Sequence, residues 1–183
     1  MQRPRGTEIR VLTLCTGNTC RSPMAEVILA ARFAEFGIDA AVASAGTLGW
    51  GERSATPHAV AVMEELGLDL SGHRSRRIEP AHLDVDLVIA MTRDHAGAAI
   101  ARDQSLRSGV FLPSELLRLL RDSGTEMTDM QTIRRLGAAR SGPTIGRAAD
   151  EVADPAGEPI EVYRATAARL DRELTAIARV LAA

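Results

Sequence analysis

The chain has 183 residues, 45% of them hydrophobic and 25% charged, with a formal net charge of −2; this suits one soluble globular domain with a sizeable core. So small a net charge gives no global attraction to nucleic acid or to an anionic membrane. No apolar run approaches the roughly 18 residues of a membrane span.

Met1 to Glu8 is polar, lacks the apolar core of a signal peptide and is expected to be a flexible arm. Short β-like runs then alternate with longer helical patterns. Arg10–Leu14, Ala40–Ser44, Leu87–Met91 and Val110–Leu112 read as strands. Pro23 to Phe36 reads as a helix, with Met24, Val27, Ile28 and Ala31 on one face, Ser22 as cap and Gly37 as stop. Thr56-Pro57 opens a second helix, ended by Gly67, and Arg93 to Asp103 a third. Asp122 to Arg147 is punctuated by Ser123-Gly124 and Ser141-Gly142-Pro143; it reads as an excursion of loops around a short helix, Met130 to Arg140. Pro159 to Leu181 is the longest helix, with Tyr163, Ala167, Leu170, Leu174, Ile177 and Leu181 at three- and four-residue steps.

This alternation predicts an α/β fold of three layers, a parallel sheet covered by helices on both faces. Such sheets bind ligands at the carboxyl ends of their strands. The first strand ends at Cys15, and from there the chain reads Cys15-Thr16-Gly17-Asn18-Thr19-Cys20-Arg21-Ser22. Backbone N–H groups of such a loop, backed by a helix N-terminus, can converge on the oxygens of a phosphate. Gly17 permits close backbone approach and Asn18 tolerates the left-handed region. Arg21 can grip two phosphate oxygens with its planar fork. The same positive field favours a reactive thiolate at Cys15, to which Ser22 can donate a hydrogen bond. A Walker-type nucleotide loop would need a second glycine and a lysine before the serine, and has neither here. The plain alternative is an inert buried Cys15 beside a solvated Arg21. Asp154-Pro155, in the polar loop before the last helix, reads as a turn by itself. Paired with a thiol nucleophile, Asp154 can protonate a leaving group and then activate water.

These motifs resemble the low-molecular-weight protein tyrosine phosphatase family over nearly the whole chain. The resemblance rests on Cys15 through Glu26 (with Ser22-Pro23-Met24-Ala25-Glu26 following the loop), then Ser44-Ala45-Gly46-Thr47, Gly72-His73-Arg74-Ser75 and Asp154-Pro155. It implies a four-stranded parallel sheet, Cys15 as nucleophile, Arg21 as phosphate clamp and Asp154 as acid then base. Asn18 would hold the shape of a phosphate loop running through Thr16, Gly17, Thr19, Cys20 and Ser22. Neither metal nor cofactor is implied, and the partner is a phosphorylated protein.

Most tyrosine-specific relatives have Ile at the position of Thr19, whereas bacterial protein-arginine phosphatases of the same family have Thr. A hydroxyl suits a polar guanidinium; a branched apolar side chain packs on a phenyl ring. Ala55-Thr56-Pro57-His58-Ala59-Val60 also resembles the arginine phosphatases. Where the family often has aromatic residues after the Asp-Pro, this chain has Ala156-Gly157. That removes a contact worth about 1 kcal/mol and leaves Trp50 as the aromatic candidate for the substrate groove. Phosphotyrosine is the family default and phosphoarginine its rival.

Cys20 is a candidate redox partner of Cys15, since loop curvature should bring the sulfurs together. With no third cysteine, a disulfide framework is excluded, an arsenate reductase that relays its disulfide outward is disfavoured, and a reducing cytoplasm is the expected compartment. A non-catalytic phosphate-binding module is disfavoured by the joint presence of Cys15, Arg21 and Asp154. The four histidines lack metal-ligand spacing. His73 is expected to brace the loop; His58, His82 and His95 read as solvated.

Overall fold

The computed structural model describes residues 8–49, 51–124, 129–142 and 144–182. The expected arm before Glu8 and Trp50 lie outside them. Four strands, β1 (Ile9–Cys15), β2 (Ala40–Gly46), β3 (Leu87–Ala90) and β4 (Val110–Phe111), form a parallel sheet in the order β2-β1-β3-β4. Six α-helices are seen among the described residues: α1 (Arg21–Glu35), α2 (Pro57–Glu65), α3 (Arg93–Arg102), α4 (Pro113–Asp122), α5 (Met130–Ala138) and α6 (Ile160–Leu181).

Side-chain alternation along the strands builds two cores, one on each face. Val11, Leu87, Ile89 and Phe111 point to one face, where α1, α2, α4 and α6 supply Ile28, Leu29, Met63, Leu116, Leu170 and Leu174. Leu12, Leu14, Val88, Ala90 and Val110 point to the other, covered by Ala96 and Ala99 of α3 and by Leu83, Leu106 and Ile145. The strands are therefore mostly apolar on both faces rather than alternating, with Thr13 and Ser44 as buried exceptions, as expected of a sheet covered on both sides. Each fully buried Leu or Ile contributes about 1.5–3 kcal/mol.

The strand order places the site. From β1 the chain crosses to β2 on one side, and β3 lies on the other, so the crevice where the connections diverge opens beyond the carboxyl ends of β1 and β3. Cys15 ends β1, and Thr92 and His95 follow β3. The register Leu14↔Ala90 brings these two ends side by side.

Two local readings change. Helix α1 starts at Arg21, with Cys20 as its N-cap residue; Ser22 is therefore inside the first turn, and its hydroxyl faces Cys15 instead of capping the helix. Helix α4 was not among the expected elements, although Pro113 at its start and Glu115, whose Oε2 accepts from Leu112 N at 3.2 Å, are ordinary start signals. Within the 122–147 stretch, α5 is held firmly. Its Gly137 lies so close to the Ser108 carbonyl that a Cβ would clash with that oxygen. Arg140, just beyond α5, is buried over the Phe111 ring; it donates to Glu115 Oε1 at 2.9 Å and to Val110 O at 2.6 Å. No helix among the described residues is long and apolar enough to cross a membrane.

Candidate active site

Residues 15–22 wrap from the end of β1 into the first turn of α1. Asn18 is the keystone. Its φ of +56° makes it the sole non-glycine residue with positive φ among the described residues, which bends the loop back over Cys15. Every polar group it carries is bonded. Its N–H points at Cys15 Sγ at 3.3 Å, and Nδ2 donates to Ser22 Oγ (3.0 Å) and Ser44 Oγ (2.7 Å). Oδ1 accepts from Arg76 N at 2.9 Å, and the carbonyl meets His73 Nε2 at 2.7 Å. Asn18 is 0% exposed, so each bond replaces one that water would otherwise make. His73 thus braces the loop, as expected.

The network extends outward through Ser44, whose hydroxyl donates to Glu26 of α1. The backbone just beyond β2 closes on the loop as well: Thr47 N donates to Cys15 O and Leu48 N to Thr16 O, each at 2.9 Å. This approach requires Gly46, where a Cβ would lie 2.7 Å from the Thr16 carbonyl oxygen. Ser44, Gly46 and Arg76 are therefore site residues in a structural sense. Ser44 and Gly46 were visible as motif letters, but the role of Arg76 N, 58 residues from Asn18, had no sequence signal.

Cys15 is 3% exposed, with Ser22 Oγ 3.0 Å from its sulfur. Arg21, also buried, is aimed by two contacts: Nη1 donates to Val152 O at 3.0 Å, and Nη2 to Asp154 Oδ2 at 2.6 Å. Its Nε is buried and without a hydrogen-bond partner among the described residues. Asp154 itself is 48% exposed at the side chain. The structure therefore brings Cys15, Arg21, Ser22 and Asp154 together, with 133 residues separating Arg21 from Asp154.

Thr19 is half-buried and its carbonyl accepts from Thr56 N at 2.9 Å. Cys15 and Cys20 are both free thiols. Cys20 Sγ lies 3.5 Å from Thr56 Oγ1 and 3.6 Å from the hydroxyl of Tyr163, on α6.

One histidine departs from its expected place. His95 is 5% exposed rather than solvated. Its Nε2 is 2.9 Å from Thr16 Oγ1 and its Nδ1 2.9 Å from Thr92 Oγ1. Burial, with the positive charge of Arg21 adding to it, lowers its pKa from 6.5 to about 4. Its sequence signal was position: the first turn of a helix directly after a strand of a parallel sheet. Thr16, Arg21, Thr92, Asp94 and His95 line an open depression of about 360 Å³.

Chemically, the arrangement offers a buried sulfur at a helix N-terminus that no side chain caps, a guanidinium with a buried N–H that has no partner among the described residues, and a half-exposed carboxylate. The fold is that of an α/β protein with a cysteine loop at the carboxyl end of its first strand, and such a helix N-terminus suits an anion. Residues 10–131 match the family described as low molecular weight phosphotyrosine protein phosphatase, and the chain belongs to that family. The protein-arginine-phosphatase of Geobacillus stearothermophilus is 31% identical over 173 residues, 94% of this chain and 95% of that one. Low molecular weight protein-tyrosine phosphatase A of Mycobacterium tuberculosis is 38% identical over 109 residues, 55% of this chain and 66% of that one. Among solved structures, the low molecular weight protein tyrosine phosphatase from T. tengcongensis superimposes with a TM-score of 0.71 at 31% identity, covering 93% of this chain and 97% of that one.

Proposed function

We propose that this enzyme hydrolyses phosphorylated protein side chains through an S-phosphocysteine intermediate. The observation that carries the reading is that the buried Cys15 sulfur ends β1 at the uncapped N-terminus of α1, whose first residue, Arg21, is ion-paired to Asp154 and has a buried Nε without a hydrogen-bond partner among the described residues. A phosphate dianion bound there would accept from loop N–H groups and from Arg21 Nε and Nη2. In the first step the Cys15 thiolate attacks phosphorus; the S–P bond forms, the bond to the side chain breaks, and Asp154 gives its proton to the leaving atom. In the second, Asp154 takes a proton from water as that water attacks phosphorus, and Cys15 leaves as a thiolate held by Ser22 and the Asn18 N–H. Entry of phosphate draws Arg21 Nη2 away from Asp154, which frees the carboxyl group for the leaving atom.

Phosphotyrosine is the substrate that the family supports. Phosphoarginine is a second reading, favoured by the Thr19 hydroxyl at the loop, by Ala156-Gly157 in place of an aromatic wall, and by likeness to a protein-arginine-phosphatase over nearly the full length of both chains. A Cys15–Cys20 disulfide, as protection of the nucleophile, would require Cys20 Sγ to leave the Thr56 and Tyr163 hydroxyls.

The test is steady-state kinetics on matched phosphotyrosine and phosphoarginine peptides, with Cys15→Ser and Thr19→Ile alongside wild type. Cys15→Ser should reduce turnover of both to background while leaving the fold intact; comparable turnover would reject the covalent route. Thr19→Ile should move the kcat/KM ratio about tenfold toward phosphotyrosine, the scale of one altered side-chain contact. An unchanged ratio would remove Thr19 as the discriminator.

A further inference from the structure

His95 takes no part in the chemistry above, yet it is bonded into the clamp. It occupies the third position of α3, whose N-cap residue is Thr92. Thr92 Oγ1 accepts from the His95 backbone N–H at 3.3 Å and lies 2.9 Å from His95 Nδ1. The other ring nitrogen is 2.9 Å from Thr16 Oγ1. Thr16 Oγ1 in turn lies 3.5 Å from Arg21 Nη2, the same nitrogen that donates to Asp154.

Each hydroxyl has one proton to give and two lone pairs that accept, so two tautomers satisfy the chain. In the one that serves the clamp, Thr92 Oγ1 accepts the backbone N–H and gives its proton to Nδ1. The imidazole then carries its own proton on Nε2 and donates to Thr16 Oγ1. That oxygen is left to accept from Arg21 Nη2, with the Thr16 proton turned toward the depression. The opposite tautomer would direct two N–H groups at Thr92 Oγ1 and spend the single Thr16 proton on the ring, away from any phosphate.

We propose that His95 is a positioning residue for the phosphate clamp: donating from Nε2, it fixes the Thr16 hydroxyl as the second acceptor of Arg21 Nη2. The role rests on the phosphatase reading and deepens it. A phosphate entering the loop competes with Asp154 for Nη2. Thr16 supplies an acceptor that stays with the guanidinium through that exchange, so the plane held at its other end by Val152 O does not swing out with the carboxylate. The low proton affinity of the buried ring supports this, since a neutral imidazole can accept on one side and donate on the other.

Two measurements decide it, both independent of turnover. Nitrogen–proton correlation spectra of the imidazoles at pH 7 should show His95 as the neutral Nε2–H tautomer; an Nδ1–H tautomer or an imidazolium would overturn the proposal. Inorganic phosphate, titrated against the loop amide signals, should bind about tenfold more weakly to His95→Leu, the scale of one lost hydrogen bond to a charged group. His95→Gln, whose amide can donate from nearly the same place, should recover most of that loss. In a Thr16→Val background His95→Leu should have little further effect. A tenfold loss that persists without the Thr16 hydroxyl, or that Gln does not repair, would reject positioning through Thr16. Wild-type protein that binds phosphate and shows the expected tautomer, yet hydrolyses neither phosphopeptide, would overturn the phosphatase reading and leave the positioning role standing.

Discussion

The two loops that meet at the site are built in opposite ways. The 15–22 loop is interior: Cys15, Asn18 and Ser22 are buried, and the polar atoms of Asn18 are bonded to five different residues. The loop carrying Asp154 is fixed mainly at its root. Arg169 of α6 donates to the Asp150 and Glu151 carbonyls, and Val152 N donates to Met91 O. Beyond that root Pro155 is buried, but Asp154 and residues 156–159 are exposed, and Asp154 has Arg21 and the Ala156 N–H as its partners. Binding an oxyanion calls for donors that need no reorganisation, whereas a group that protonates one atom and later deprotonates another must change partners. A fully bonded loop beside a half-exposed carboxylate with few partners suits the two demands of the proposed reaction.

The largest effect should come from disabling the exposed half. Asp154→Asn should lower the rate of cleavage about 10²–10³-fold for substrates with poor leaving groups and far less for activated aryl phosphates. A rate loss independent of leaving group, measured across a substituted phenyl phosphate series, would show that Asp154 is not the proton donor. Stability should hardly change, because an ion pair with one half-exposed partner contributes little.

Breaking the buried half should do the reverse. Asn18→Ala removes three side-chain hydrogen bonds and leaves alanine at a φ of +56°. Urea denaturation should register a loss on the order of 3 kcal/mol, together with loss of phosphate binding. If stability holds while phosphate affinity is lost, the network around Asn18 serves the ligand and not the fold.

A smaller effect should sharpen the comparison where the halves touch. His95 has a pKa of about 4 in the folded chain against an ordinary 6.5, lowered by burial and Arg21 and partly restored by Asp94, Asp154 and Glu151. Between those values the unfolded chain binds the extra proton, so His95 favours folding fully above pH 6.5 and progressively less as pH falls toward 4. The part lost should be on the order of 2–3 kcal/mol. Denaturation curves at pH 7 and 4.5 should therefore converge for His95→Gln relative to wild type. Equal pH slopes in the two proteins would show that the ring is not held neutral.

The candidate nucleophile and clamp, Cys15 and Arg21, are legible because eight consecutive residues contain them, and strand and helix signals on either side set their relative position. Asp154 was legible only through the chemistry that a cysteine phosphatase demands. Ser22 was misplaced as a cap: the same hydroxyl serves equally well at a helix start or one residue inside it, and the difference lies in where β1 delivers the chain. His95 reads as solvated in sequence yet is buried, because an Ala-rich, weakly amphipathic helix does not announce which face is inside. Helix α4 passed unread, although its proline and glutamate were start signals, because it follows a two-residue strand with no connecting loop.

By itself, then, the sequence determined what is local in chain: apolar strands covered on both sides, helices with their start and stop residues, and an eight-residue loop whose thiol, glycine, asparagine and guanidinium suit a phosphate. Only the tertiary structure decided which distant groups complete that loop. Asp154, His73, Arg76 and His95 reach it across 133, 55, 58 and 79 residues. Local pattern carries propensity and periodicity; which carbonyl an arginine meets, and which imidazole meets a threonine, follows from strand order and register.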